Sequence, residues 1–117
     1  LLHFKVIIKL SRSILLTAVT YEHIPLEDLP TRDALKSAPR EISVFALLRH
    51  SADPKPLGNF TFDAKGEPKQ RFVLKDAMME PVKFVLIRVS KNHGHRKYTC
   101  MYRVRVHGIE QEGDSKD

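Results

Sequence analysis

The sequence has one cysteine, no tryptophan, five glycines and no apolar run approaching the ~20 residues a membrane span requires. Each shortage narrows the reading. A single thiol, Cys100, cannot close a disulfide within the chain. It is a buried thiol, a reactive one, or half of a bridge whose other half lies elsewhere. Composition favours the first, because free cysteine behaves as a small hydrophobe. The opening LLHFKVIIKL carries Lys5 and Lys9, so it is not the core of a signal peptide. His93 and His95 flank Gly94, but a zinc site needs three or four ligands and no second cysteine or His-x-x-x-His set completes one. G-x-S-x-G, a phosphate loop and paired-carboxylate motifs are all missing. A nucleophile built from Cys100 with His93 or His95 conflicts with burial in a strand, since reactive thiols sit in exposed electropositive settings. The expectation is a protein that is not an enzyme.

What remains is an ordinary globular composition: 117 residues, 42% hydrophobic and 29% charged, enough for one domain with a real core. Leu rather than Met comes first and a strand-like pattern follows at once, which reads as a fragment or shortened form. The formal charge is +6, and residues 1–108 hold 19 bases against 10 acids. Such a balance raises nucleic-acid binding. The bases are scattered, however, and the aromatics fall inside strand patterns rather than on a basic loop. A solvated positive surface is the simpler account.

A two-residue period runs through nearly the whole chain. FKVIIKL (4–10) and TAVTYEHI (17–24) read as two strands, the second with Val19, Tyr21 and His23 on one face. Residues 25–39 form a proline-bounded loop with at most one helical turn. EISVFALL (41–48) is a strand and HSADPKPLG (50–58) a turn region. Residues 59–74 are two strands joined by DAKGEP, and KDAMMEP (75–81) is a connector. VKFVLIRVS (82–90), apolar on both faces, belongs at the centre of a sheet. KNHGHRK (91–97) is a tight polar loop, and YTCMYRVRVH (98–107) is the closing strand. About seven strands without a long helix predict an antiparallel β-sandwich. Residues 109–117, rich in acid, read as a disordered tail.

In the closing strand Tyr98, Cys100, Tyr102, Val104 and Val106 are predicted to share a face, with two phenols and a thiol at one end. Upstream, Ser37 precedes Ala38-Pro39 and so has extended backbone at a strand start. Its hydroxyl either satisfies a turn or donates into a pocket.

Four segments together resemble the SUN domain, found in proteins of the nuclear envelope: TAVTYEHI, SAPREISVFAL, LGNFTFDAKGEPKQRF and GHRKYTCMYRVRVHG. The family pattern runs V-T-L-E-H-I/V, then S-A-P-K-D/E-F-x-V-[YF]-G, then L-G-x-F-x-[YF]-D. It closes on N-W-G-H-P-x-[YF]-T-C-x-Y-R-x-R-V-H-G. The resemblance covers roughly residues 4–108 and the C-terminal two-thirds of a complete domain. It divides the chain into a partial SUN domain, 1–108, and the tail 109–117.

The resemblance implies a galactose-binding-like jelly roll, incomplete at its N-terminus, that binds the C-terminal tail of a KASH-domain protein in the perinuclear space. It implies a homotrimer in the complete protein and anchorage in the inner nuclear membrane by an upstream segment. It assigns Ser37, Tyr98 and Tyr102 to a pocket for the peptide's terminal carboxylate and His23 to its proline turn. Cys100 is the position of a half-cystine whose partner this chain lacks, and the carbonyl of Tyr102 is a candidate ligand for a monovalent cation such as K⁺. Nucleic acid is not an implied partner. A carbohydrate-binding β-sandwich and a basic nucleic-acid-binding domain are the alternatives. Departures from the pattern are N-H-G-H-R in place of N-W-G-H-P, LLHFKV in place of a glycine-containing turn, and Ala46-Leu47 without the family's glycine.

Overall fold

The computed structural model describes residues 3–74 and 80–110. Six strands appear in chain order: β1 (Phe4–Glu22), β2 (Pro39–Leu47), β3 (Lys55–Thr61), β4 (Lys69–Val73), β5 (Val82–Asn92) and β6 (Arg103–Glu110). All pairings are antiparallel. The sheet order is β3-β2-β5-β1-β4, with β6 also on β1. The expected antiparallel all-β architecture is therefore present, and β5 takes the central place that its two apolar faces predict.

The segments expected as separate strands at 4–10 and 17–24 are one 19-residue strand. Its first half pairs with β5, from Phe4↔Val89 to Lys9↔Phe84. Its second half lies between β4 and β6. Two irregularities allow this. Between Lys9 and Ile14 the register with β5 jumps. At Thr17 the register with β6 slips by one residue. The second slip reverses the inward parity. Phe4, Ile8, Leu10, Ile14 and Leu16 face the core before it, and Val19 and Tyr21 after it. A strict two-residue period cannot pass through Thr17 unbroken, which is why the sequence pattern reads as two strands.

β1 thus joins two layers of the curled sheet, one made with β5, β2 and β3 and the other with β4 and β6, and the core fills between them. Leu16, Val19 and Tyr21 of β1 meet Ile42, Val44 and Ala46 of β2, Leu57 of β3, and Val82, Val85, Ile87 and Val89 of β5. Phe62 closes one end, edge-on to Tyr21 with ring centroids 4.8 Å apart. Burying such side chains contributes about 1.5–3 kcal/mol each relative to exposure.

Three further expectations change. β3 starts at Lys55, inside the stretch expected as a turn; Pro56 is tolerated there because β3 is an edge strand. β3 and β4 follow each other in sequence but lie at opposite ends of the sheet order. The sheet curls until Phe60 and Phe72 stack, centroids 4.9 Å apart. Gln70 replaces the ladder across that seam: Oε1 accepts from Asp63 N–H at 3.0 Å and Nε2 donates to Asp63 O at 2.7 Å. The closing strand starts at Arg103, so Tyr98 to Tyr102 are not in a strand. β6 extends instead through Ile109 and Glu110, which pair with Leu15 and Ile14. The rest of the expected tail, 111–117, and residues 75–79 of the connector lie outside the described residues.

Candidate functional site

Ser37, His23 and the 98–102 segment come together at one end of the sandwich, where β1 and β5 finish and β2 and β6 begin. The loop 25–38 contains two short 3-10 turns, Leu26–Asp28 and Arg32–Ser37. The second delivers an extended Ala38, with φ −65° and ψ 147°, into Pro39. Three consecutive carbonyls here accept amides from the loop after β5. Lys36 O takes His95 N at 3.0 Å, Ser37 O takes Cys100 N at 2.7 Å, and Ala38 O takes His93 N at 3.2 Å. Ser37 therefore lies against the middle residue of Tyr-Thr-Cys-Met-Tyr. Ser37 is 7% exposed, and its hydroxyl donates to Ala34 O at 2.9 Å.

The two tyrosines are the open part of the site, Tyr98 49% and Tyr102 54% exposed, while Cys100 is half-buried and free. The single face expected to run from Tyr98 through Cys100 and Tyr102 to Val106 is not formed. Met101, Val104 and Val106 pack against the core, and the phenols stay outside it. The physical reason lies in the hydrogen bonds of residues 98–102. These go to the backbone of Ser37 and to the side chains of Asn92, His95 and Tyr21 rather than to a strand's backbone ladder, so no alternation is imposed.

Asn92 and His95 hold that loop. Asn92 Nδ2 donates to His95 O at 2.9 Å, Tyr98 O at 3.1 Å and Thr99 Oγ1 at 2.9 Å. Its Oδ1 accepts from Gly94 N at 2.9 Å. Gly94 has φ +114°, a conformation side-chain-bearing residues rarely adopt. His95 Nδ1 accepts from Lys97 N and Tyr98 N, both at 3.1 Å, and its ring lies 3.9 Å from the Tyr98 ring. These two histidines are thus structural: His95 caps the turn, and His93 Nε2 donates to Phe62 O at 2.8 Å. No group of three or more His, Cys, Asp or Glu among the described residues could hold a metal.

His23, the residue expected on a peptide's proline turn, is buried, only 3% exposed. It reaches the site through Tyr102, whose ring it meets edge-on at 4.8 Å. Its Nδ1 lies 2.6 Å from the hydroxyl of Tyr21, which also accepts the Tyr102 amide at 3.1 Å. Burial, with His93 adding to it, pushes His23 below the usual histidine range. Burial pushes the Tyr21 phenol up.

Sequence reasoning passed over Asn92 and Tyr21, and weighed His95 only as a metal ligand or base rather than as a turn cap. Asn92 had a signal: asparagine two residues before a glycine is the pattern of a side-chain-closed turn. Tyr21 was visible only as an apolar position of a strand. A second concavity, about 570 Å³, lies at the other end of β2 and β5, lined by Arg12, Arg49, His50, Glu80, Lys83 and Phe84 among others. Two of its side chains already have partners: Arg12, with Glu110, and His50, whose Nε2 lies 3.0 Å from Glu80.

Residues 3–110 match the family described as Sad1 / UNC-like C-terminal. The chain is 38% identical over 107 residues to SUN domain-containing protein 3 of Bos taurus, covering 91% of this chain and 29% of that protein. Against SUN domain-containing protein 1 of Homo sapiens the identity is 39% over 104 residues, covering 87% and 13%. Against the Klaroid protein of Drosophila melanogaster it is 36% over 104 residues, covering 87% and 11%. The chain belongs to the Sad1/UNC-like, or SUN-domain, family. It spans less than a third of the length of these relatives. A solved F5/8 type C domain of a Bacteroides fragilis protein shares the fold, with TM-score 0.68 at 14% identity, covering 93% of this chain and 67% of that one. The expected jelly-roll architecture agrees with that likeness.

Proposed function

We propose that this chain is a non-enzymatic peptide-binding module that captures the free C-terminus of a KASH-domain protein in the perinuclear space. In that role it forms part of a trimeric bridge, anchored in the inner nuclear membrane, that couples the nucleus to the cytoskeleton and positions it. One observation carries the reading. Two solvent-facing phenols, Tyr98 and Tyr102, stand either side of Cys100, whose amide is tied to Ser37 at 2.7 Å. Phenolic and serine hydroxyls donating to a carboxylate make charge-assisted bonds about twice as strong as neutral ones. Capture of a chain terminus is a known mode of peptide recognition. For Ser37 to join, its hydroxyl turns from Ala34 O toward the incoming oxygen. The half-buried Cys100 backs the pocket as a free thiol, and Tyr102 contributes a backbone oxygen for a monovalent cation. The positive surface is incidental, so binding responds weakly to salt, unlike a nucleic-acid interface.

The test compares a proline-rich peptide carrying a free C-terminus with its amidated twin by calorimetry. The free form should bind at least about tenfold tighter, and Tyr102→Phe should abolish that preference. Equal affinities refute carboxylate capture.

A further inference from the structure

Tyr21 occupies a place where the family pattern carries leucine, yet it is 1% exposed with a polar atom inside the core. Its hydroxyl has two neighbours, the Tyr102 amide at 3.1 Å and His23 Nδ1 at 2.6 Å. The amide can only donate. If His23 Nδ1 also carried a proton, the phenol would accept twice and its own hydrogen would be left in the core without an acceptor among the described residues. Such a buried loose donor is costly. The arrangement that satisfies both the phenol and Nδ1 has the phenol accepting from Tyr102 and donating to an unprotonated Nδ1. His23 is then neutral, with its proton on Nε2.

We propose that Tyr21 is a positioning residue for the peptide site, fixing His23 as the neutral Nε2–H tautomer and pinning the backbone at Tyr102 to β1. The inference rests on the carboxylate-capture reading, and it adds a regulatory property: the site is held in shape only while His23 is uncharged. A proton on Nδ1 would face the phenol's own hydrogen. The phenol would have to turn, and the Tyr102 amide, the ring edge on His23 and the exposed hydroxyl of Tyr102 would lose their common anchor. The groups facing His23 do not reward a positive charge. They are the neutral phenols of Tyr21 and Tyr102, His93 from the loop after β5, and Lys65, which lines with His23 a niche of about 40 Å³ beside Phe62 and Pro68. Burial acts in the same direction.

The experiment uses the whole chain and reads the imidazole nitrogens directly, by two-bond nitrogen–proton NMR correlation. In the wild type at pH 7.5 His23 should show the Nε2–H pattern. On acidification the slow exchange of the Tyr102 amide should be lost with the same midpoint as His23 protonation. Tyr21→Phe should mix the tautomers, speed Tyr102 exchange, and weaken binding of the free-terminus peptide about tenfold with little effect on the amidated one. An Nδ1–H tautomer in the wild type overturns the proposal and needs no variant, so a failure of Tyr21→Phe to fold does not shelter it. Unchanged tautomer and exchange in Tyr21→Phe overturn it equally. If wild-type protein binds both peptides alike, carboxylate capture fails, while tautomer and amide exchange still decide the role of Tyr21.

Discussion

Replacing Asn92 with alanine should loosen the proposed peptide site by removing support for its loop, although Asn92 is not itself a residue proposed to contact the peptide. Four hydrogen bonds disappear: three donated by Nδ2 to His95 O, Tyr98 O and Thr99 Oγ1, and one accepted from Gly94 N. Two amide hydrogens serve three acceptors, so one bond is shared. A net value of ~0.5–1 kcal/mol for each, suited to a half-exposed loop, gives a loss of about 2 kcal/mol. With a urea dependence of ~2 kcal/mol/M for a domain this size, the unfolding midpoint should fall by about 1 M at unchanged slope. Circular dichroism is the suitable probe, as the chain has no tryptophan. Asn92→Asp is the decisive companion. It keeps an acceptor for Gly94 but sets a carboxylate against three oxygens, so it should cost at least as much as alanine. A shift under ~0.5 kcal/mol for Asn92→Ala, or an aspartate milder than alanine, would show that the loop is not held by this side chain.

Other expectations follow from the same geometry. Gly94→Ala should cost about 1–2 kcal/mol, measured by denaturation, because φ is +114° although nothing lies within 4 Å of the new methyl. Gly108→Ala should destabilise by ~1–3 kcal/mol for a different reason: its Cβ would sit 2.5 Å from Leu15 O and 2.7 Å from Ile14 Cδ1, prising β6 from β1. Leu16→Ala, at a fully buried position, should cost ~2–5 kcal/mol in the same assay. His23 and His107 are both held below the usual histidine range, chiefly by burial. Their neutral forms favour the fold, so their contribution is complete above the unfolded value of 6.5 and is lost as pH falls below it. Thermal melts from pH 7.5 to 5 should therefore decline, and His107→Gln, which can keep the bond that His107 Nε2 makes with Thr20 Oγ1 at 2.7 Å, should flatten part of that decline.

The strand character and the central place of β5 were legible because a two-residue period and a doubly apolar segment are local signals. The slip at Thr17 was not. It is a register event, fixed by what β6 offers across the ladder, and nothing in Leu16-Thr17-Ala18 announces it. The opposite placement of β3 and β4 was likewise hidden, since the turn between them looks the same whether the flanking strands pair or part. At the site, Ser37 and the two tyrosines, drawn from separate motifs, lie at one end of the molecule. The strand assigned to residues 98–102 failed because alternation there is accidental: Met101, not Cys100, turns to the core. Tyr21 stayed unnoticed because its hydroxyl matters only once Tyr102 and His23 are folded against it.

The 19-residue β1 has a mechanical corollary. The same backbone is laced to β5 along its first half and to β4 and β6 along its second, so a load entering at the 98–102 end passes into β6 and then along covalent bonds into the opposite layer. The two layers cannot be peeled apart by sliding one face over the other; β1 itself must first be unzipped. Under load such a sheet should lose an edge strand before β1 unzips, and the β3–β4 seam is crossed by the side chain of Gln70 rather than by a ladder.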